Sequence, residues 1–261
     1  MLVQGALTPG LAQAGCQAPT PSLDWSASHS RWDEVDAQGQ RLLRETGTLQ
    51  ARGLALAMSC GEGWQLAAAF ARESGTRAYT GQSSQGQPIR THSDIDSNTL
   101  QASVLRRLSP VWQIGVQADW SELHRELASV GAVQGYAEVH RHAAMAVGVQ
   151  AEPRAFGDLR WQGSLWLGAG PSGSVAVRLP NADPARLSTG SQRYVDAGFG
   201  LLSPLRPQGW QGRIGFAWRT ARIDAGPTTT LWRGPMPVGS AKQPEQRLRD
   251  AALQAGLAYR F

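Results

Sequence analysis

Apolar residues recur at every second position over most of this chain, and that period fixes the type of element it forms. From Trp112, the residues Trp112, Ile114, Val116, Ala118 and Trp120 alternate with Gln113, Gly115, Gln117, Asp119 and Ser121. From Trp210, the residues Trp210, Gly212, Ile214, Phe216 and Trp218 alternate with Gln211, Arg213, Gly215, Ala217 and Arg219. The chain ends in the same way, with Leu253, Ala255, Leu257, Tyr259 and Phe261 against Gln254, Gly256, Ala258 and Arg260. A helix would place its apolar residues three and four apart. Strict alternation is the pattern of a strand with two unlike faces.

The two faces identify the solvent on each side. A soluble sandwich turns large apolar residues inward and charges outward. Here the second face is small and polar, rich in Gly, Ala, Ser and Gln, and the apolar face is bracketed by Trp in two strands. Aromatics at both edges of an apolar band suit the two interfaces of a membrane. Small polar residues suit a narrow lumen touched by water. No run reaches the ~18 apolar residues that a membrane helix needs. Charged residues make up only 17% of the chain, against about 25% in soluble domains.

Ten such segments lie near residues 22–35, 42–58, 63–79, 92–108, 111–127, 134–150, 158–169, 190–203, 209–225 and 245–261. Short connections at Ser59–Glu62, Leu108–Pro110, Ala151–Gly157 and Ser203–Gln208 alternate with long ones at Thr80–Thr91, Gly170–Thr189 and Gly226–Pro244. This is the asymmetry of short periplasmic turns and longer outer loops. The pattern predicts an all-β fold, a closed antiparallel up-and-down transmembrane β-barrel of about ten strands, formed by residues 16–261 as one domain. Such a lumen is narrow enough for side chains to fill. Arg160, Gln162, Arg213, Arg219, Glu73, Glu138 and His140 are expected to face inward as paired charges.

The last strand, Leu253 to Phe261, resembles the C-terminal strand of bacterial outer-membrane β-barrel proteins. In that class alternating apolar residues run to a terminal aromatic, which the barrel-assembly machinery reads. The resemblance implies an outer-membrane location, an assembly signal in Tyr259 and Phe261, and contact with membrane lipid and lipopolysaccharide; a monomer is expected. The strand count is similar to that of the omptin proteases. Asp94 and Asp96 have the i,i+2 form of one omptin pair, but no Asp-x-His pair follows in the late strands, and the omptin activity is not carried over.

Residues 1–15 end in Leu-Ala-Gln-Ala-Gly, an ending like that of a secretory signal, and read as a signal remnant without a basic start. Cys16 and Cys60 fit no metal motif. In the ten-strand topology both fall on the periplasmic side, an oxidising compartment, which makes them a disulfide candidate. The alternative is that Cys16 is removed with the signal or is a lipoprotein acceptor, although Gln13 is polar where that motif wants a small residue. The net charge is +5, Lys242 is the only lysine, and arginine is spread along the chain. A nucleic-acid reader concentrates its basic residues, so nucleic acid is not an expected partner.

One cluster has chemical potential. Glu122, His124 and Glu126 lie two apart on the fifth segment, and Glu138, His140 and His142 on the sixth. A hairpin centred near Gly131 would set His124 opposite Glu138 and Glu122 opposite His140, with Asp94 and Asp96 at similar height. Imidazoles and carboxylates together suit a divalent metal or a carboxylate-oriented general base. Parity argues otherwise: Glu122 and His124 share the outward face of Trp120, whereas His140 and His142 point inward. A rim of mutually paired charges is the plainer reading. Ser121 with His124, and Ser28-His29-Ser30, do not form a nucleophile pair, because neighbours on a strand face opposite sides. No phosphate loop, dinucleotide fingerprint or metal-binding cysteine pair occurs, and Gly170-Pro-Ser-Gly173 is a turn signal. No cofactor is expected. The sequence therefore predicts a non-enzymatic outer-membrane barrel acting through surface loops or as a narrow pore. The rival is an outer-membrane protease or lipid hydrolase with a histidine and carboxylate site at the outer rim, and a ligand-binding periplasmic barrel is a third reading.

Overall fold

The computed structural model describes residues 15–82, 86–153, 157–204 and 209–260. The signal-like residues 1–14 and the terminal Phe261 lie outside the described residues. The strands are β1 (Thr20–Val35), β2 (Arg41–Cys60), β3 (Trp64–Gln82), β4 (Pro88–Arg107), β5 (Trp112–Leu127), β6 (Ala137–Ala151), β7 (Arg160–Gly170), β8 (Ser174–Arg178), β9 (Ala185–Ser188), β10 (Gln192–Leu202), β11 (Gly209–Ile223), β12 (Thr228–Arg233), β13 (Met236–Lys242) and β14 (Glu245–Arg260).

Ten of them close a barrel in the order β1-β2-β3-β4-β5-β6-β7-β10-β11-β14, with β14 pairing back onto β1. Every neighbour is antiparallel, and closure removes the free edges that a sheet must otherwise protect. These are the ten segments read from the alternation. The faces also fall as parity requires. Leu253, Ile214 and Val147 are each more than 60% exposed, as residues that meet lipid are when the lipid is absent. Trp112, Trp210 and Trp64 edge this apolar belt at the short-turn end, Trp120 and Trp218 at the long-loop end.

Inward glycines make room for the few large inward rings. A Cβ on Gly148 would collide with the Trp166 ring, and one on Gly168 with the Tyr194 ring. Trp166 and Tyr194 pack with Leu105, Ala144 and Ala146 into one buried cluster inside the barrel. The small inward face is thus a packing device as well as a wet one.

Two long outer loops are more regular than their Gly, Ser and Pro content suggested. β8 adds to the top of β6, from Ala137 opposite Arg178 to Arg141 opposite Ser174, and β9 pairs with β8. β12 and β13 form a separate hairpin. Val175, Val177 and Leu187 are buried against Tyr136, Leu179 and Ala241 in a small core of their own. Asp183 N–H donates to the Trp232 carbonyl at 2.7 Å, tying the two loop hairpins together. At the opposite end Cys16 and Cys60 form a disulfide, with S–S 2.07 Å. It joins the segment before β1 to the end of β2, where Gln17 N–H also donates to the Ser59 carbonyl at 2.8 Å.

Candidate functional site

β5 and β6 rise beyond the belt at Trp120 and Ala143, and their upper ends carry the residues of interest. Their register decides which of those residues meet. Arg125 lies opposite Glu138, His124 opposite Val139, Leu123 opposite His140 and Glu122 opposite Arg141. The sequence-based hairpin was therefore one residue out of step, and the correction is consequential. Residues directly opposite in an antiparallel pair point to the same face, so an outward His124 has no place opposite an inward Glu138.

The wall then divides the expected cluster. Outside, Glu122 Oε1 lies 2.9 Å from His124 Nε2, and Glu122 Oε2 accepts from Arg141 Nε at 2.5 Å. Asp96 sits opposite His124 across β4 and β5 and is held by both Nε and Nη2 of Arg72. Asp94 accepts from the Thr76 hydroxyl at 2.9 Å. Inside lie Glu138, His140 and His142. His140 Nε2 is 2.9 Å from Glu138 Oε2, and the His140 and His142 rings stack at 6.5 Å. No grouping of three or more His, Cys, Asp or Glu among the described residues has the geometry of a metal site. Asp94 and Asp96 thus do not join Glu138, His140 and His142 in one constellation.

What the inside does contain is a buried charge network centred on Arg125. Its Nε and Nη2 donate to Glu45 Oε1 at 2.9 and 2.6 Å, and its Nη1 donates to Glu138 Oε2 at 2.7 Å. Glu34 Oε1 stands 3.9 Å from Nη1. Ser93 Oγ donates to Glu45 at 2.6 Å. Two guanidiniums lie over the Trp32 ring, Arg77 at 5.7 Å and Arg125 at 6.0 Å from its centre, and the ring meets His140 edge-on at 5.3 Å. Its indole N–H donates to Glu34 at 3.3 Å. Trp32, Arg125, Glu45 and His140 are all at most 2% exposed. Leu43, Tyr79 and Leu127 pack around Trp32 and complete the layer.

Three carboxylates share this layer with two guanidiniums, and the environment separates the acidities of Glu138 and Glu34. Burial raises Glu138, but the Arg125 charge and the hydrogen bonds from His140 and Arg125 outweigh it and hold the carboxyl at about 2. Burial also raises Glu34, and repulsion from Glu138 and Glu45 adds to it; the more distant Arg125 charge and the Trp32 hydrogen bond offset only part, and the carboxyl is pushed up to about 7. Tyr136, in the loop above β5, is raised by burial and by the Glu138 charge.

Further down the lumen the inward residues expected from parity pair as charges. Arg213 donates to Asp24 at 2.7 Å, Arg160 to Glu152 at 3.0 Å, and Arg219 lies 3.5 Å from Asp196. Glu73 accepts from Ser28 at 3.1 Å. A polar space of about 560 Å³, lined by Gln113, Gln162, Gln211 and Arg213 among others, occupies the short-turn end.

Spacing had singled out the i,i+2 sets Glu122/His124/Glu126 and Glu138/His140/His142 but passed over Trp32, Glu34, Glu45 and Arg125. The signal was present in parity. Trp25 is outward, so Trp32, an odd number of residues later, is inward; Trp120 is outward, so Arg125 is inward.

No protein-family model matches this chain, and no curated protein matches it either. Solved structures do. The outer membrane protease OmpT from Escherichia coli is similar over 93% of this chain and 96% of its own, at 12% identity and a TM-score of 0.61. The translocator domain of the autotransporter NalP from Neisseria meningitidis is similar over 92% of this chain and 88% of its own, at 11% identity and a TM-score of 0.47. At this identity the likeness to OmpT is one of fold. The chain has the closed ten-strand fold of the bacterial outer-membrane β-barrels, and with its apolar belt it is an outer-membrane protein.

Proposed function

We propose that this barrel acts from its outer surface, through its folded loop hairpins, on a lumen that is shut rather than conducting. The observation that carries this reading is the Trp32 and Arg125 layer. Its large side chains span the upper lumen with at most 2% exposure, and the β8 and β9 core flanks it, with Val175 opposite His140 and Val177 opposite Glu138. A pore needs a continuous polar path, whereas this layer is packed like a protein interior. The loops, by contrast, have their own apolar core and hairpins, an investment suited to presenting a fixed surface.

OmpT is a protease. For this chain, the geometry gives less support to an enzyme. Asp94 and Asp96 face outward and are engaged by Thr76 and Arg72, while His140 is 1% exposed beneath Trp32 and Glu138. A general base must come within hydrogen-bond reach of a substrate proton, and a substrate has no path to His140 in this arrangement.

Single-channel recording in planar bilayers tests the proposal. The wild-type barrel is expected to show no steady ion conductance, and Trp32→Ala combined with Arg125→Ala is expected to introduce one. Steady conductance of the wild-type protein would overturn the closed-lumen reading.

A further inference from the structure

On the outer wall, Arg52 of β2 and Arg72 of β3 are direct cross-strand partners. Both face away from the lumen. They are the first charged outward residues on the loop side of Leu54 and Phe70, which belong to the apolar belt. Like charges set directly opposite in a sheet repel, and at the edge of a low-dielectric layer they repel more strongly. Asp96 answers one of them, since both Nε and Nη2 of Arg72 donate to it. Arg52 has no carboxylate partner among the described residues; its other cross-strand neighbour is Trp25.

Below this pair the wall is hollowed. A groove of about 1320 Å³ runs along the outer surface, with Leu23, Trp25, Leu54, Phe70, Ile214 and Leu257 on its apolar floor. Its depth comes from the small outward residues Gly212 and Ala255. Gln50, Ser74, Arg52 and Arg72 line its upper end. The groove therefore joins an apolar trough at belt level to a cationic and hydroxyl-binding head at the level where the outer leaflet's polar groups begin.

We propose that this is a seat for one molecule of a phosphorylated, sugar-headed lipid of the outer leaflet, of the lipid A type. An acyl chain would lie in the trough. A phosphate would bridge Arg52 and Arg72, where guanidiniums give paired, charge-assisted hydrogen bonds, and Gln50 and Ser74 would meet sugar hydroxyls. Asp96 competes with the phosphate for Arg72, so it sets the affinity from below.

The test is a lipid titration of the purified, folded barrel in detergent, read by native mass spectrometry, with bisphosphorylated lipid A as the probe. Folding of each variant is checked by its unheated gel mobility. Arg52→Gln is expected to weaken lipid A binding by about tenfold, the loss of a good charge-assisted contact. Asp96→Asn is expected to strengthen it, because Arg72 is released. Arg106→Gln, at the opposite edge of the belt against Trp64, is expected to leave it unchanged. Opposite signs for Arg52→Gln and Asp96→Asn separate a phosphate seat from general damage to the barrel. Wild-type affinity in Arg52→Gln, or weaker binding in Asp96→Asn, would overturn the site. Equal, Arg52-dependent affinity for phosphatidylglycerol would overturn its assignment to lipid A.

Discussion

At the scale of single residues, Arg125 holds the inner layer together. It is 1% exposed and donates to Glu45 and Glu138 at once. Replacing it leaves buried carboxylates without the guanidinium that balances their charge, a change that costs about 3–5 kcal/mol. Arg125→Leu is expected to lower the urea midpoint of the detergent-solubilised barrel accordingly, measured by tryptophan fluorescence. Arg125→Lys is expected to recover only part of the loss, since an ammonium cannot reproduce the fork that spans two glutamates. Two neighbours titrate in opposite senses. Glu138, held at about 2 against an ordinary value of 4.5, contributes stability above pH 4.5 that is lost as the pH falls towards 2. Glu34, raised to about 7, binds its proton more tightly in the folded state. Its contribution is complete below pH 4.5 and is lost as the pH rises through 7. Glu34→Gln is therefore expected to flatten the decline in stability between pH 4.5 and 7, and an unchanged pH profile in urea unfolding would contradict the assignment.

At the scale of elements, each strand is held by its two faces and its neighbours. β11 is the clearest case. Ile214 lies midway between Trp210 and Trp218 and is 62% exposed to what is, in place, the hydrocarbon core. Ile214→Arg is expected to cost about 2–4 kcal/mol, the depth-dependent penalty for a cation near the midplane, while the same change at outward Thr220, above Trp218, should cost far less. Unfolding from detergent or bilayers by denaturant gives both values. The lower end of β1 depends on a different restraint. The Cys16–Cys60 bridge closes a segment with a sequence separation of 44, and in the chain-entropy model a loop of that size stabilises by about 4 kcal/mol. Cys60→Ser is expected to lower the denaturant midpoint, and reductant is expected to bring the wild type down to the same value while leaving the variant unmoved. Thiol labelling of both cysteines in unreduced protein would exclude the bridge.

At the scale of the whole molecule, the barrel is inside out relative to a soluble protein. A belt of its large apolar residues is exposed, and its interior holds Arg125, Glu45, Gln246 and Glu138. The purified protein is expected to require detergent and to migrate faster on a gel unheated than boiled, because the closed sheet resists unfolding by detergent alone. A protein that remained soluble and monomeric without detergent would refute the membrane reading. Assembly adds a requirement that stability does not measure. If Tyr259 and Phe261 form the assembly signal that the resemblance of the last strand implies, deleting Phe261 is expected to reduce surface-inserted protein sharply, and equal insertion in cells would contradict that role.

Alternation alone determined the strands, their number in the barrel and the face of nearly every residue, because side-chain direction in a strand follows parity without reference to the rest of the fold. The same rule placed Arg213, Arg219, Arg160 and Glu73 inside. The order of the barrel followed as well, since short antiparallel connections leave little choice of neighbour. Register did not follow. Whether His124 or Arg125 meets Glu138 depends on one residue in the turn around Gly131, and a slip of one residue changes every partner. Contacts across the lumen were equally hidden: Glu45 and Arg125 lie 80 positions apart in the chain, and only the curvature of the closed sheet brings β2 to face β5. The hairpins of the outer loops belong to the same class. β8 is short and is held by the top of β6 and by a core shared with β9 and β13, so its strand character is a property of its partners rather than of its own residues.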